Sequence, residues 1–195
     1  MNAYDFDNTI YDGESIIDFF LFCLKKDKGL YLHLPKVLLR LGEYKLNIVS
    51  VEKIYKTVEE ITNKFIAKHI NEIDLLVSEF WDKNYKRLKP SFLSMLKSDD
   101  LIITGCPRFL IEYIKDDLKP NNIICTEFNF ETNKIDFLCL GKNKVEAFNK
   151  RYKGKKIEKF YTDSLVDIPF MKCSREVYLV KKNKITKIDK KKYIK

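Results

Sequence analysis

Along the chain the apolar positions keep one period over a single long stretch. From about Glu14 to Leu88 they recur every three or four residues, as in SIIDFFLFCLKK, HLPKVLLRLGEY and SVEKIYKTVEEITNKFIAKHINEIDLLVSEFWDKNYKRL. That spacing predicts helices with one buried face. Ser50 is a fair N-cap for the last of these stretches. Before the helical block, Asn2 to about Phe6 reads as a short strand. After Pro90, short β-rich runs alternate with short helices: LIIT at 101–104, a helix RFLIEYIKDDL at 108–118, and NIICTEF at 122–128. The run EFNFETNKIDFLCL reads as a hairpin turning at Thr132-Asn133, followed by a helix at about 143–152 and strands IEKFYT (157–162) and EVYLV (176–180). Strands alternating with helices predict an α/β fold, a three-layer Rossmann-like parallel sheet. The helical block then reads as an insertion between the first strand and the rest.

In an open parallel sheet, ligands bind outside the carboxyl ends of the strands. The residues expected there are informative. The first strand ends in Asp5 and Asp7, within YDFDNT. The run LIIT leads to Thr104-Gly105. The helix near 143 starts with Lys142 and Lys144. The strand IEKFYT leads to Asp163-Ser164 and then Asp167. Four acids, a hydroxyl and a lysine would thus meet at one edge. Clustered carboxylates do not all stay ionised together without a cation. Mg²⁺ takes one or two carboxylates together with phosphate oxygens and waters. A hydroxyl and an ammonium are suitable fixed donors for oxygens on which charge accumulates. The set therefore points to a phosphoryl group bound beside Mg²⁺.

In their order, DFDNT, IITG, GKNKVEAF and YTDSLVD resemble the four motifs of the haloacid dehalogenase superfamily of phosphatases. More narrowly, the chain is similar to the phosphoserine-phosphatase-like subgroup, whose helical cap follows the first motif. The resemblance runs from Asn2 to about Val180. It implies a core domain of residues 1–13 and 89–195, and a helical cap domain of residues 14–88. It implies a Mg²⁺-dependent phosphomonoesterase working through an aspartyl-phosphate. By position, Asp5 would be the nucleophile. Asp7 would protonate the leaving oxygen and later deprotonate a water. Mg²⁺ would sit on the Asp5 carboxylate, the Asp7 backbone carbonyl and Asp163. Thr104, Gly105 and Lys144 would bind the phosphoryl oxygens, with Asp167 and Ser164 in support. Lys144 is preferred to Lys142 because Lys-Val-x-x-Phe matches the family's helix start. Asn8 stands where the family often has Gly. Asn tolerates a left-handed backbone, and its N–H could point at phosphate.

The substrate is less legible. Glu14 lies at the offset of a substrate-contacting Glu in phosphoserine phosphatases, and it is equally placed as an acid favoured at a helix start. The cap stretch KLNIVSVEKIYK offers Lys53 or Lys56 where that family has Arg, which argues against phosphoserine itself. Arg40 and Arg87 read as surface cations. A small phosphorylated metabolite is expected, and a lipid phosphate, a phosphotransferase reaction or a non-catalytic phosphate-binding module are the alternatives. Hinges are expected near Asp12-Gly13 and Lys89-Pro90, with the cap acting as a lid.

Charge and cysteine usage alter this little. The net charge is +9, but only five of the 37 basic residues are Arg and the lysines are scattered. That suits a solvated surface more than a nucleic-acid footprint. The five cysteines form no CxxC pair, and no targeting or membrane-spanning segment is evident, so a cytoplasmic protein with reduced thiols is expected. Cys106 reads as a buried apolar residue. His33 and His69 lack ligand spacing, Trp81 reads as cap packing, and Arg108 reads as either a surface residue or a phosphate contact. Oligomeric state has no signal.

Overall fold

The computed structural model describes residues 1–45, 53, 57 and 68–193. The elements that matter are β1 (Ala3–Tyr4), α1 (Ser15–Lys26), α2 (Leu34–Lys45), α3 (Ile73–Asn84), α4 (Pro90–Met95) and β2 (Leu101–Pro107). They are followed by α5 (Arg108–Ile111), β3 (Asn122–Asn129), β4 (Lys134–Phe137), α6 (Lys142–Arg151), β5 (Ile157–Thr162), α7 (Ile168–Met171), β6 (Ser174–Lys181) and β7 (Lys184–Ile188). The seven strands form one sheet in the order β4-β3-β2-β1-β5-β6-β7. The five inner strands are parallel, and the outermost strand on each side is added by an antiparallel hairpin.

Every residue of β1 and β2 is buried, as expected for strands covered on both faces. Alternate side chains feed two separate cores. Ala3, Leu101, Ile103 and Phe160 pack with Phe148 of α6 and Phe170 of α7 on one face. Tyr4, Ile102 and Tyr161 face the other side, with Phe92, Leu110 and the helices of the insertion. On that face Tyr4 stacks on Tyr161 at 4.8 Å, and Tyr161 on Tyr178 at 4.9 Å, a ladder across β1, β5 and β6. β1 is only two residues long, yet it lies at the centre of the sheet. Its carboxyl end therefore opens into the middle of the crevice.

The elements differ from the expected ones in three places. The expected helix at 108–118 is α-helical only to Ile111 and then a 3-10 turn, Glu112–Ile114. Asp116 and Asp117 would oppose the dipole at the end of a longer helix. β2 continues past Thr104 to Pro107 through a register irregularity. β7 lies in a lysine-rich stretch beyond the last expected strand. It is an edge strand with three of five residues exposed, where lysine is a usual guard against further pairing. The Ser50 cap and Lys56 lie outside the described residues.

The insertion joins the core more tightly than a freely hinged lid. Tyr11 and Leu88 form an antiparallel bridge. Asp12 N–H donates to Arg87 O at 2.8 Å, and Lys89 N–H to Ile10 O at 2.8 Å. Both expected hinge points are thus paired. Gly13 takes φ 148°, a backbone conformation in which an L side chain is strained, and the Arg87 guanidinium lies close over it. α1 and α3 also share the core cluster of the sheet. Phe19 packs edge-on against Phe80 at 5.4 Å and Phe109 at 5.7 Å. Trp81 is fully buried against Tyr11 and Phe6, and its indole N–H donates to Leu110 O at 2.9 Å. Trp81 therefore binds insertion to core and does more than pack the insertion. Trp81→Ala is expected to cost about 3–5 kcal/mol, from lost packing and an orphaned carbonyl. Urea unfolding will check this, and a cost below about 1 kcal/mol would show that α3 is not part of the core.

Candidate active site

β1 delivers the chain into the crevice through Asp5 N–H, which donates to Tyr161 O at 2.8 Å. Asp5 and Asp7 are each 7% exposed. Between Asp7 and α1 the chain reverses sharply. Asn8 takes φ 55°, the left-handed region that Asn tolerates. Its N–H donates to Gly13 O at 3.0 Å, and its side-chain amide to Glu14 Oε1 at 2.7 Å. In this arrangement the Asn8 N–H serves the turn and does not aim at a phosphate position. The reversal brings the N-terminus of α1 over Asp7, and Ser15 N–H donates to Asp7 Oδ1 at 2.8 Å.

α6 projects Lys144 inward from its first turn, while Lys142 is exposed. Lys144 is 2% exposed, and its ammonium donates to Asp5 Oδ1 at 3.1 Å and to Asp167 Oδ2 at 2.9 Å. Asp167 also accepts from Thr162 Oγ1 at 2.9 Å. Ser164 Oγ accepts Val166 N–H at 3.2 Å, which caps the short turn that carries Asp167. Thr104 is fully buried midway along β2, beside Gly105. Its hydroxyl accepts the Cys106 N–H at 3.0 Å and so keeps its own proton to donate. Cys106 is itself buried.

The electrostatics follow from crowding. Burial raises the Asp5 pKa well above the usual carboxylate range. Lys144 opposes the rise, and Asp167, Asp163 and Asp7 add to it. Burial raises Asp7 to about 6, against the pull of the Ser15 N–H. Asp163 is also raised to about 6, by burial and then by Asp167. Lys144 loses charge stability to burial, but Asp167 and Asp5 more than restore it, so it remains protonated. Glu14 lies at the rim, open to solvent as a residue but with its carboxylate turned in against the Asn8 amide. It makes no capping bond to α1, and burial of its carboxylate together with Asp7 and Asp163 raises its pKa.

Four carboxylates thus crowd the site, and the Lys144 ammonium touches two of them, Asp5 and Asp167. Among the described residues, no group of three or more His, Cys, Asp or Glu side chains converges as a metal cage. Asp163 stands near enough to Asp5 and Asp7 to raise the pKa of both. Such a surplus of negative charge, offered by oxygen donors, suits Mg²⁺, which keeps several waters.

Other candidates lie elsewhere. Arg108 is spent on Glu127 at 2.6–2.9 Å and on Glu112, so it belongs to the surface of β3. His69 lies 3.4 Å from Asp27 and 3.2 Å from Glu72, in the helical block. Arg87 reaches Asp18 at 2.7 Å. Three neighbours of the site went unread in the sequence: Ser15, Thr162 and Lys89. Only Thr162 left a local trace, as a hydroxyl at the end of a strand.

This geometry accompanies a match of residues 3–172 to the haloacid dehalogenase-like hydrolase family. The chain belongs to that family. The haloacid dehalogenase-like architecture explains the central position of the shortest strand, since its carboxyl end carries the two acids of the first motif. Similar solved structures include a protein of unknown function from Bordetella pertussis Tohama I, with TM-score 0.70 and 16% identity, covering 88% of this chain and 85% of that one. A phosphoserine phosphohydrolase-like protein from Francisella tularensis subsp. tularensis SCHU S4 has TM-score 0.61 and 18% identity, covering 91% and 86%. A phosphoserine phosphatase, solved as a phospho-aspartyl intermediate analogue, has TM-score 0.52 and 15% identity, covering 90% and 83%. A sequence comparison with curated proteins finds no match. Among the described residues, no helix is long and apolar enough to cross a membrane.

Proposed function

We propose that this hydrolase is a Mg²⁺-dependent phosphomonoesterase using Asp5 as nucleophile. The observation that carries the reading is the Lys144 ammonium held between Asp5 and Asp167 at 3.1 and 2.9 Å, with Asp7 beside them raised to about 6. An Asp5 oxygen attacks phosphorus, and the bond from phosphorus to the leaving oxygen breaks. Asp7 gives that oxygen its proton. A water then attacks the aspartyl-phosphate, Asp7 takes the water's proton, and inorganic phosphate leaves with Asp5 restored. A group titrating near 6 is suited to both roles around neutrality. Lys144 and the Thr104 hydroxyl hold the phosphoryl oxygens, and Asp167 keeps Lys144 charged and aimed. The Asp5 carboxylate, the Asp7 carbonyl and Asp163 would hold Mg²⁺, which supplies charge stabilisation for the transferring group.

A small phosphorylated metabolite is the substrate class proposed here. A groove of about 640 Å³ beside α1 is lined by Asp18, Leu21, Phe22, Lys25, Lys26, Lys83 and Asn84. Its lining mixes apolar and cationic side chains and includes none of the residues assigned to the chemistry.

Phosphate release from an aryl phosphate, with Mg²⁺ and with EDTA, tests the reading. Release that needs Mg²⁺ is expected. A panel of phosphorylated amino acids, sugars, nucleotides and short-chain lipid phosphates then ranks substrates. No release from any of them, together with no Mg²⁺-dependent binding of beryllium fluoride, would leave a non-catalytic fold.

A further inference from the structure

Lys89 is a buried cation with no part in the chemistry above. It is 6% exposed. Its ammonium donates to Asn8 O at 2.7 Å and to Lys182 O at 2.9 Å. Its backbone N–H donates to Ile10 O at 2.8 Å, and its Nζ lies 6.0 Å from the Phe92 ring centre. Both carbonyls belong to left-handed residues, Asn8 at φ 55° and Lys182 at φ 54°. Such residues turn their peptide units away from the regular ladder, so their carbonyls need partners from elsewhere. A position meant only for packing would be filled more cheaply by Leu or Met, because burying an ammonium costs free energy. Burial works against the charge of Lys89, and the neighbouring acids Asp12 and Asp163 oppose that effect.

We infer that Lys89 is a positioning residue that locks the turn after Asp7 in its catalytic shape. This rests on the proposed function. The turn is clamped at both ends of one residue: Asn8 N–H is held by Gly13 O, and Asn8 O is held by Lys89. Asp7 immediately precedes it, so the clamp fixes the Asp7 peptide, whose carbonyl is assigned to Mg²⁺, and the direction of the Asp7 side chain. Lys89 also lies on the segment returning from the insertion, and it reaches the β6–β7 turn. One ammonium therefore ties the catalytic turn to the exit of the insertion and to the edge hairpin.

The test is Lys89→Met, which keeps an apolar stem and removes the donors. It is read by kcat and KM on an aryl phosphate, by the Mg²⁺ concentration for half-maximal activity, and by ¹⁹F detection of Mg²⁺-dependent beryllium fluoride binding. The expected result is a kcat lowered about 10–100-fold, the scale of a misplaced reacting group, with KM within about threefold. The Mg²⁺ requirement should rise and the beryllium fluoride adduct weaken. The direction of the Mg²⁺ change is decisive. Removing a positive charge near Asp163 would by charge alone tighten Mg²⁺, so a weaker Mg²⁺ response reports geometry. A kcat within about twofold of wild type overturns the inference, whatever the melting temperature does, and so does a tightened Mg²⁺ response. Ile157→Val, a destabilising change at the amino end of β5 in the other core, controls for stability, and Lys89→Leu, which also lacks a donor, stands in if Lys89→Met does not fold. A wild type that releases no phosphate but binds beryllium fluoride with Mg²⁺ overturns the hydrolytic reading and leaves this one to the ¹⁹F comparison. A wild type that does neither overturns both.

Discussion

Asp5→Asn is expected to abolish phosphate release and, in EDTA, to make the protein more stable. The loss should be at least about 10⁴-fold, the scale for removing the nucleophile of a covalent mechanism. The gain in stability follows from the cluster's excess charge. Asp5 is buried and its pKa is raised by burial and by Asp167, Asp163 and Asp7. The amide keeps an oxygen for Lys144 and removes a charge, and a gain of about 1–2 kcal/mol is typical of such relief, or several degrees in Tm. The pH dependence has a definite sign. The folded protein holds protons that the unfolded chain has already released, so apo stability falls as pH rises from about 4 through the raised values of Asp7 and Asp163, about 6. Lowering the pH toward 4 should therefore close the gap between wild type and Asp5→Asn. Mg²⁺ should raise the Tm of the wild type and raise that of the variant much less. Residual Mg²⁺-dependent activity above about 1% would remove Asp5 from the nucleophile's role. A variant less stable than wild type at pH 7.5 in EDTA would remove the charge argument.

Lys144→Met should move stability in the opposite direction. Lys144 is the only cation in contact with Asp5 and Asp167 among the described residues. Its loss leaves both acids buried and unpaired, a change that typically costs about 3–5 kcal/mol. Urea unfolding will read it. Phosphate release should also fall about 10²–10³-fold, because a fixed donor to the phosphoryl oxygens is gone. The double variant Asp5→Asn, Lys144→Met should be more stable than Lys144→Met alone, since one of the stranded charges is removed with it. Additive behaviour would mean that the 3.1 Å contact between Lys144 and Asp5 contributes nothing to their coupling.

These expectations draw on different layers of information. The apolar periods and the order of acid, hydroxyl, lysine and acid at successive strand ends were local signals. They sufficed for the α/β class, and among the residues they singled out the fold brings Asp5, Lys144 and Asp167 into contact. A strand end is written in a few adjacent residues, and parallel topology brings such ends together without further instruction. What depends on pairing between distant segments was not legible. β7 needed β6 beside it before KITKI could be a strand. The expected hinges are paired because Tyr11 meets Leu88 across the insertion. Trp81 belongs to the core because Leu110 O, 29 residues away, accepts its N–H. The clamp on Asn8 comes from Lys89, 81 residues along the chain, and from a scatter of lysines nothing singles out the one that is buried. Burial and partnership belong to contacts between segments far apart in the chain, so only the folded arrangement separates Lys89 and Lys144 from the lysines that face water.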